Sequence, residues 1–222
     1  MTRPTPLAIN QPFLGERLSQ ALAYCQRTAK PWVTLAWAQS IDGCLTVQQG
    51  QPTPLSGPES AVLTHQLRAA HHAILVGIGT LLSDDPRLAD GRTPLTAKVL
   101  QGQQPALIVG TPAAPQARQA ALIAAGAEVL IVPATATGQV DIAALQPMLA
   151  ARGLASVMVE GGGQVLTAFL AQQLANAVCV TVVPKVLGGY HAVAALNGAI
   201  ANLTPVVYQA AGADMTIIGG LQ

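Results

Sequence analysis

The sequence is poor in charge. Only 9% of its 222 residues are Asp, Glu, Lys or Arg, and these nearly cancel to a formal net charge of +1. No long run of one sign occurs, so nothing reads as a nucleic-acid footprint or as a patch for an anionic membrane. Cysteine is scarce too. Cys25, Cys44 and Cys179 are odd in number and widely spaced, which argues against a disulfide framework and against a zinc site. They read as small buried hydrophobes. Long hydrophobic runs are missing. The most apolar stretch, Ala120 to Val132, is cut by Gly126 and Glu128 and stopped by Pro133, which is too short and broken for a membrane span. No basic segment followed by an apolar one opens the chain, so no secretory leader is expected and the expected location is cytoplasmic. His65, His71, His72 and His191 have no metal-ligand spacing, and no Ser/His/Asp set can be ordered. No metal is expected.

What is abundant is apolar: 51% of residues are hydrophobic, so most of the chain should fold rather than stay disordered. The length suits one domain with a substantial core. So few charges leave little to solvate the surface, and an oligomer interface would relieve that.

Met1 to Pro12 reads as a loose lead-in. Leu14, Leu18, Leu22 and Cys25 at helical spacing predict one helix over Phe13 to Ala29, ended by Pro31. Trp32 to Ala38 reads as a buried strand, with a turn at Ser40-Ile41-Asp42-Gly43. Ser56 or Gly57 can cap a helix that starts at Pro58, has Glu59 in its first turn and runs to about Ala70. Ala73 to Gly77 is a short strand, and Asp84 to Gln104 a long irregular stretch. Strands and helices then alternate: Ala106 to Val109, Pro115 to Ala125, Glu128 to Val132, Ile142 to Ala151, Val157 to Glu160, Gln164 to Gln172 and Ala177 to Val183. Val206 to Ile218 splits at Gly212-Ala213-Asp214 as a candidate hairpin. This alternation predicts an α/β fold with a mainly parallel sheet, the hairpin adding antiparallel pairing at one edge.

Three motifs could carry chemistry. In VMVEGGGQVL a strand ends at Glu160 and runs through Gly161, Gly162 and Gly163 into a helix. In open α/β sheets ligands bind outside the carboxyl ends of strands, and glycines before a helix let a phosphate approach the backbone N–H groups there. Glu160 could then hydrogen-bond a polar substrate group, although a tight turn with a solvated glutamate has the same spacing. In GIGTLLSDDP, Gly77 and Gly79 follow another strand, Thr80 offers a hydroxyl, and Asp84 could cap a turn or accept from a ribose hydroxyl. In AQSIDG, Asp42-Gly43 is foremost a turn signal. Arg68, within an apolar helix, could reach a phosphate with its planar fork or serve as a surface ion-pair residue.

Together, TLAWAQSIDG, LSGPESAVLTHQLRAAHHAILVGIGTLLSDDPRL and VMVEGGGQVLTAFL…VVPKVLGG resemble the riboflavin-biosynthesis pyrimidine reductases, from Pro31 to Gly189. The wording is nearest to the stand-alone reductases of fungal and archaeal type. The bifunctional bacterial enzymes add a zinc deaminase with an H-x-E…P-C-x-x-C signature, which this sequence does not contain. The resemblance implies a dihydrofolate-reductase-like fold and a single reductase domain over 1–222, with 1–30 as lead-in and helix. It also implies a homodimer, and NADPH-dependent hydride transfer to C1′ of a phosphoribosylamino pyrimidine to give the ribitylamino product. By the resemblance, Ala38, Thr80, Asp84, Thr111 and the stretch Gly162, Gly163, Gln164 and Val165 match cofactor-contacting positions. Arg68, Leu88 and Glu160 match substrate-contacting ones. Glu160 and Asp42 are the candidate catalytic residues, Asp42 being equally readable as a structural turn residue. Three departures stand out. Ala36 occupies a position where many relatives have lysine. Relative to the family, the segment after Asp84-Asp85-Pro86 is lengthened, so that either Arg92 or Lys98 would supply a positive charge. An aspartate usual after the third strand is replaced around Gly110-Thr111, and Arg118 is a distant candidate for a 2′-phosphate. A pterin or folate reductase on the same fold and a non-catalytic NADPH-binding homologue are the alternative readings.

Overall fold

In the computed structural model the described residues are 12–80, 95, 98–101, 105–196, 198 and 200–222. The strands are β1 Trp32–Ser40, β2 Cys44–Thr46, β3 Ala73–Leu75, β4 Leu107–Gly110, β5 Glu128–Ile131, β6 Ser156–Val159, β7 Ala177–Val183, β8 Tyr190–His191, β9 Leu203–Ala211 and β10 Asp214–Leu221. The named helices are α1 Pro12–Ser19, α2 Ala21–Thr28, α3 Pro58–Ala70, α4 Lys98–Gln101, α5 Gln116–Ala124, α6 Ile142–Ala150 and α7 Gly163–Ala171, and residues 78–80 are helical as well.

Six strands form one sheet in the order β3-β6-β1-β7-β10-β9. β1 pairs in parallel with β6 and β7, and β3 in parallel with β6. β10 runs antiparallel to both β7 and β9, so the predicted hairpin closes one edge. The central strands read as continuous apolar runs because both faces are covered. Val33, Leu35, Val157, Val159, Val178 and Val180 point to one face, with Leu145, Leu149, Leu166 and Phe169 of α6 and α7. Ala36, Met158, Cys179 and Ile218 point to the other, with Leu14 of α1 and Leu63 and Leu67 of α3. Alternate residues of one strand thus serve two cores.

The structure corrects the sequence reading in four places. The single helix expected over Phe13 to Ala29 is two helices. The Ser19 hydroxyl donates to the Glu16 carbonyl at 2.6 Å, the acceptor that the Gln20 N–H would need, and Gln20 N–H turns to the Arg17 carbonyl at 3.2 Å. Such local side-chain competition breaks a helix. Second, β4 and β5 pair in parallel with each other in a separate two-stranded sheet, not with the main one. Third, β2 and β8, which the sequence did not suggest, form a small antiparallel pair after the Asp42-Gly43 turn. Fourth, part of the stretch read as irregular, Lys98–Gln101, is helical.

Helix α3 starts as expected at Pro58, with Gly57 as its N-cap residue and no cap from its own side chain. The cap comes from the far end of the chain. Asp214 Oδ2 accepts from the Gly57 N–H at 2.8 Å and from the Ser60 hydroxyl at 2.6 Å. The carboxylate thus satisfies an orphan donor and sits at the positive end of the helix dipole.

Candidate active site

The carboxyl ends of β1, β6 and β7 meet the last turn of α3 around an open cleft of about 210 Å³, lined by Ala36, Ala38, Arg68, Glu160, Gly161 and Thr181 among others. That is small beside a typical ligand pocket, so it would take one ring or one charged group of a larger ligand.

Arg68 and Glu160 come together here from positions 92 apart in sequence. Arg68 Nε donates to Glu160 Oε1 at 2.7 Å, and Nη2 donates to Oε2 at 2.6 Å. Glu160 is the better buried partner, its side chain 15% exposed against 40% for Arg68. The carboxylate raises the guanidinium pKa further, by hydrogen bonding first and charge second, with burial acting against it. Glu160 is placed by its own backbone, whose N–H donates to the Leu75 carbonyl at 2.9 Å and carries the β3–β6 ladder one residue on. Arg68 is placed by its neighbours on α3. Leu67 is 1% exposed, and His71 is 9% exposed at the helix end. A carbonyl only accepts, so His71 Nδ1–H donates to the Leu67 oxygen at 2.7 Å, and Nε2 accepts from the Thr34 hydroxyl at 3.0 Å. Burial pushes the His71 pKa down to about 4, so the ring is neutral at physiological pH. Two of the residues that the resemblance assigned to substrate are therefore adjacent, and in the structure they grip each other. Among the described lining residues Arg68 is the one cation, since Ala36, 8% exposed, presents only a methyl group.

The glycines beside Glu160 have a reason the sequence did not reveal. None of Gly77, Gly161, Gly162 and Gly163 has a positive φ, so backbone conformation does not demand glycine there. A β-carbon at Gly161 would lie 2.5 Å from Val165 Cβ, and one at Gly77 would lie 2.8 Å from Val165 Cγ2. One at Gly163 would lie 2.8 Å from the His191 carbonyl oxygen. At these three the side-chain space is taken by protein atoms. Gly162 and Gly79 differ. A β-carbon at Gly162 would approach only the Thr80 hydroxyl, at 3.3 Å, and one at Gly79 would meet nothing within 4 Å. Gly162 is also the N-cap residue of α7, with no side-chain cap, and Gln164 beside it is exposed. The start of α7 next to Thr80 is thus the part of the motif with the shape and dipole of an anion cradle.

Asp42 turns out to be a turn anchor. It accepts from the Ser40 hydroxyl at 2.5 Å, from Leu187 N–H at 3.1 Å and from Gly188 N–H at 2.7 Å. These bonds hold its carboxyl well below the usual carboxylate range, which suits an anchor between β1 and the segment before β8, not a proton donor. Thr111 follows β4, its carbonyl accepting from Ala114 N–H at 2.9 Å in a turn. Asp84, Leu88 and Arg92 lie outside the described residues, as does the side chain of Lys98, whose backbone begins α4.

The sequence reading missed Ser56, Thr64, Trp37 and Thr181 as lining residues. Thr181 left a signal: it is the one polar side chain in AVCVTVV of β7, and it lies beside Ala38 in the β1–β7 register. Ser56 read only as a helix cap, a role that fell to Gly57 and Asp214. Cys179, also lining the cleft, is 5% exposed, and burial pushes its thiol up to about 12, which leaves it unreactive. Among the described residues no group of His, Cys, Asp and Glu could hold a metal ion. Among the same residues no helix is long and apolar enough to cross a membrane.

The chain matches the family model described as RibD C-terminal domain over residues 31–217. It is 32% identical over 188 residues to the 2,5-diamino-6-ribosylamino-4(3H)-pyrimidinone 5′-phosphate reductase of Methanothermobacter thermautotrophicus, covering 76% of this chain and 85% of that one. It is 30% identical over 176 residues to the riboflavin biosynthesis protein RibD of Aquifex aeolicus, covering 72% of this chain but 48% of that one. The chain therefore spans about half the length of the RibD relatives it matches. Among solved structures, Acinetobacter baumannii RibD superposes with a TM-score of 0.78 at 21% identity, over 95% of this chain and 63% of that one. The riboflavin biosynthesis reductase Rib7 of Saccharomyces cerevisiae superposes with a TM-score of 0.68 at 24% identity, over 94% and 99%. These structures share the mixed sheet flanked by helices.

Proposed function

Because the chain belongs to the RibD C-terminal domain family, we propose that it is a pyrimidine reductase of riboflavin biosynthesis. In this reading it takes a phosphoribosylamino pyrimidine as substrate and NADPH as reductant. The observation that carries the reading is the bidentate Arg68–Glu160 pair standing beside Gly161 at the sheet's carboxyl edge, next to the start of α7, whose N-cap residue is the side-chain-less Gly162. A charged fork and a carboxylate there suit a phosphorylated, hydroxyl-rich substrate, and the neighbouring helix start suits a dinucleotide's phosphates.

When bound, NADPH supplies a hydride for C1′ of the opened ribose. The chain's own part is positioning. The backbone N–H groups at the start of α7, with Thr80 alongside, are suited to the cofactor phosphates, and Ala38 leaves room at the end of β1. Glu160 accepts from substrate hydroxyl or amino groups. Arg68 spends Nε and Nη2 on Glu160, which leaves its Nη1 edge for an anionic oxygen. A substrate phosphate therefore meets a guanidinium already fixed in orientation, and Glu160 is kept from swinging away. The same reading assigns Asp84 and Thr111 to the cofactor, and Leu88 with Arg92 or Lys98 to the substrate. It takes the chain as one cytoplasmic reductase domain that pairs as a homodimer, an association favoured by the low surface charge.

The test is NADPH oxidation at 340 nm with the diamino-pyrimidinone and the deaminated amino-uracil substrates in turn. Oxidation dependent on one of them, and lost in Glu160→Gln and Arg68→Ala, is the expected result. No oxidation with either, in protein that binds NADPH, would overturn the substrate assignment. Turnover of a pterin that Arg68→Ala leaves untouched would replace it with the folate-type alternative.

A further inference from the structure

β3 and β6 run in register, Leu75 beside Val159. Two residues beyond each lies a glycine, Gly77 and Gly161. Both glycines face one side chain. A β-carbon at Gly161 would sit 2.5 Å from Val165 Cβ and 2.7 Å from its Cγ1, and one at Gly77 would sit 2.8 Å from its Cγ2. Since neither glycine has a positive φ, the space each leaves is steric room for Val165. Val165 itself is held in the first turn of α7, where its N–H donates to the Gly162 carbonyl at 2.9 Å. A second contact lies one step along: the space beside Gly162 is bordered by the Thr80 hydroxyl, 3.3 Å from where a β-carbon would be. The segment after β3 therefore meets α7 at Val165, where a missing side chain makes the fit possible, and Thr80 lies beside Gly162.

We propose that Val165 is a positioning residue: its side chain keys into the gap between Gly77 and Gly161 and locks the segment after β3 to the N-terminus of α7. The two halves of the phosphate cradle then move as one body, and the distance from Thr80 to the first N–H groups of α7 is set before any ligand arrives. The cofactor part of this inference rests on the proposed function; the interlock does not. Glycine at 77 and 161 serves the key, and the ligand gains by preorganisation.

The first measurement is amide hydrogen exchange in the ligand-free protein. Val165→Ala should speed exchange in residues 76–80, a segment remote in sequence from the substitution. Val165→Thr keeps the branched shape and should exchange like the original protein. The second is the NADPH dissociation constant, by nicotinamide fluorescence. Val165→Ala should raise it on the order of tenfold, a modest loss of preorganisation in binding. Gly77→Ala should raise it too. The double variant Gly77→Ala/Val165→Ala should bind better than Gly77→Ala alone, because the new methyl takes the place of Cγ2 with Val165 Cβ 3.9 Å away. Unchanged exchange at 76–80 in Val165→Ala, or no relief in the double variant, would overturn the inference. Absence of NADPH binding by the unsubstituted protein would instead refute the cofactor assignment, while the exchange experiment still decides the interlock.

Discussion

Stability should fall steeply as pH drops below 6.5, and His71 should be a principal cause. Its ring is 9% exposed and packed at the end of α3, one nitrogen donating to Leu67 and the other accepting from Thr34. Burial lowers its pKa from 6.5 to about 4, and the charge of His72 adds to that, against the Leu67 bond and Glu160. The unfolded chain binds the proton near 6.5 and the folded chain only near 4, so neutral His71 contributes fully above pH 6.5 and is lost as pH falls toward 4. At 1.36 kcal/mol per pKa unit this difference amounts to about 3 kcal/mol, a large share of a domain's total stability. Protonation would also oblige Nε2 to donate, so Thr34 would have to reverse its hydroxyl. The assay is urea unfolding at several pH values between 7.5 and 4.5, for the original protein and for His71→Asn. Carboxylates also titrate in that range, so the quantity to read is the difference between the two pH slopes. The original protein should lose about 2.5 kcal/mol more than the variant over this interval, the rest of the difference lying below pH 4.5. Equal slopes, or an NMR titration placing His71 near 6.5, would refute the reasoning.

Three other outcomes are expected. A double-mutant cycle with Arg68→Ala and Glu160→Gln should give a coupling of about 1–2 kcal/mol, since the pair is bidentate and Glu160 is mostly buried, but Arg68's exposure lets solvent screen it; a coupling indistinguishable from zero would mean that the pair adds no rigidity. Asp214→Ala strips the acceptor from Gly57 N–H and the Ser60 hydroxyl and should cost about 1–3 kcal/mol in chemical denaturation, with Asp214→Asn costing less because an acceptor remains. Gly163→Ala would press a methyl to within 2.8 Å of the His191 carbonyl and 3.2 Å of the Ala192 carbonyl; a Tm equal to the original would show that α7 and the segment around β8 can part without cost.

Much of the architecture was legible in the residues themselves. β1, β6 and β7 lie in the middle of a sheet covered on both faces, so each had to be a continuous apolar run, and such runs can be recognised. α3 was legible from Pro58, and the hairpin from Gly212-Ala213-Asp214, because turn and cap chemistry is local. The strand–glycine–helix pattern pointed to the carboxyl ends of the strands, where the candidate cleft lies. Pairing was not legible. β4 and β5 have the same composition of pattern as the main strands, but which strand lies beside which is decided by the packing of α5 and the small cluster of Ala106, Leu122 and Ala127, not by any property of the strand alone. The break at Gln20 turned on one hydroxyl taking one carbonyl, a local effect too small for a periodicity to register. The salt bridge between Arg68 and Glu160, the cap that Asp214 gives to α3, and the keying of Val165 between Gly77 and Gly161 join residues far apart in the chain. The sequence determined which chemical groups and backbone freedoms were available and on which element each would sit. Only the tertiary structure decided which of them meet, because a hydrogen bond or a steric fit depends on distances of a few tenths of an ångström that pairing and packing set.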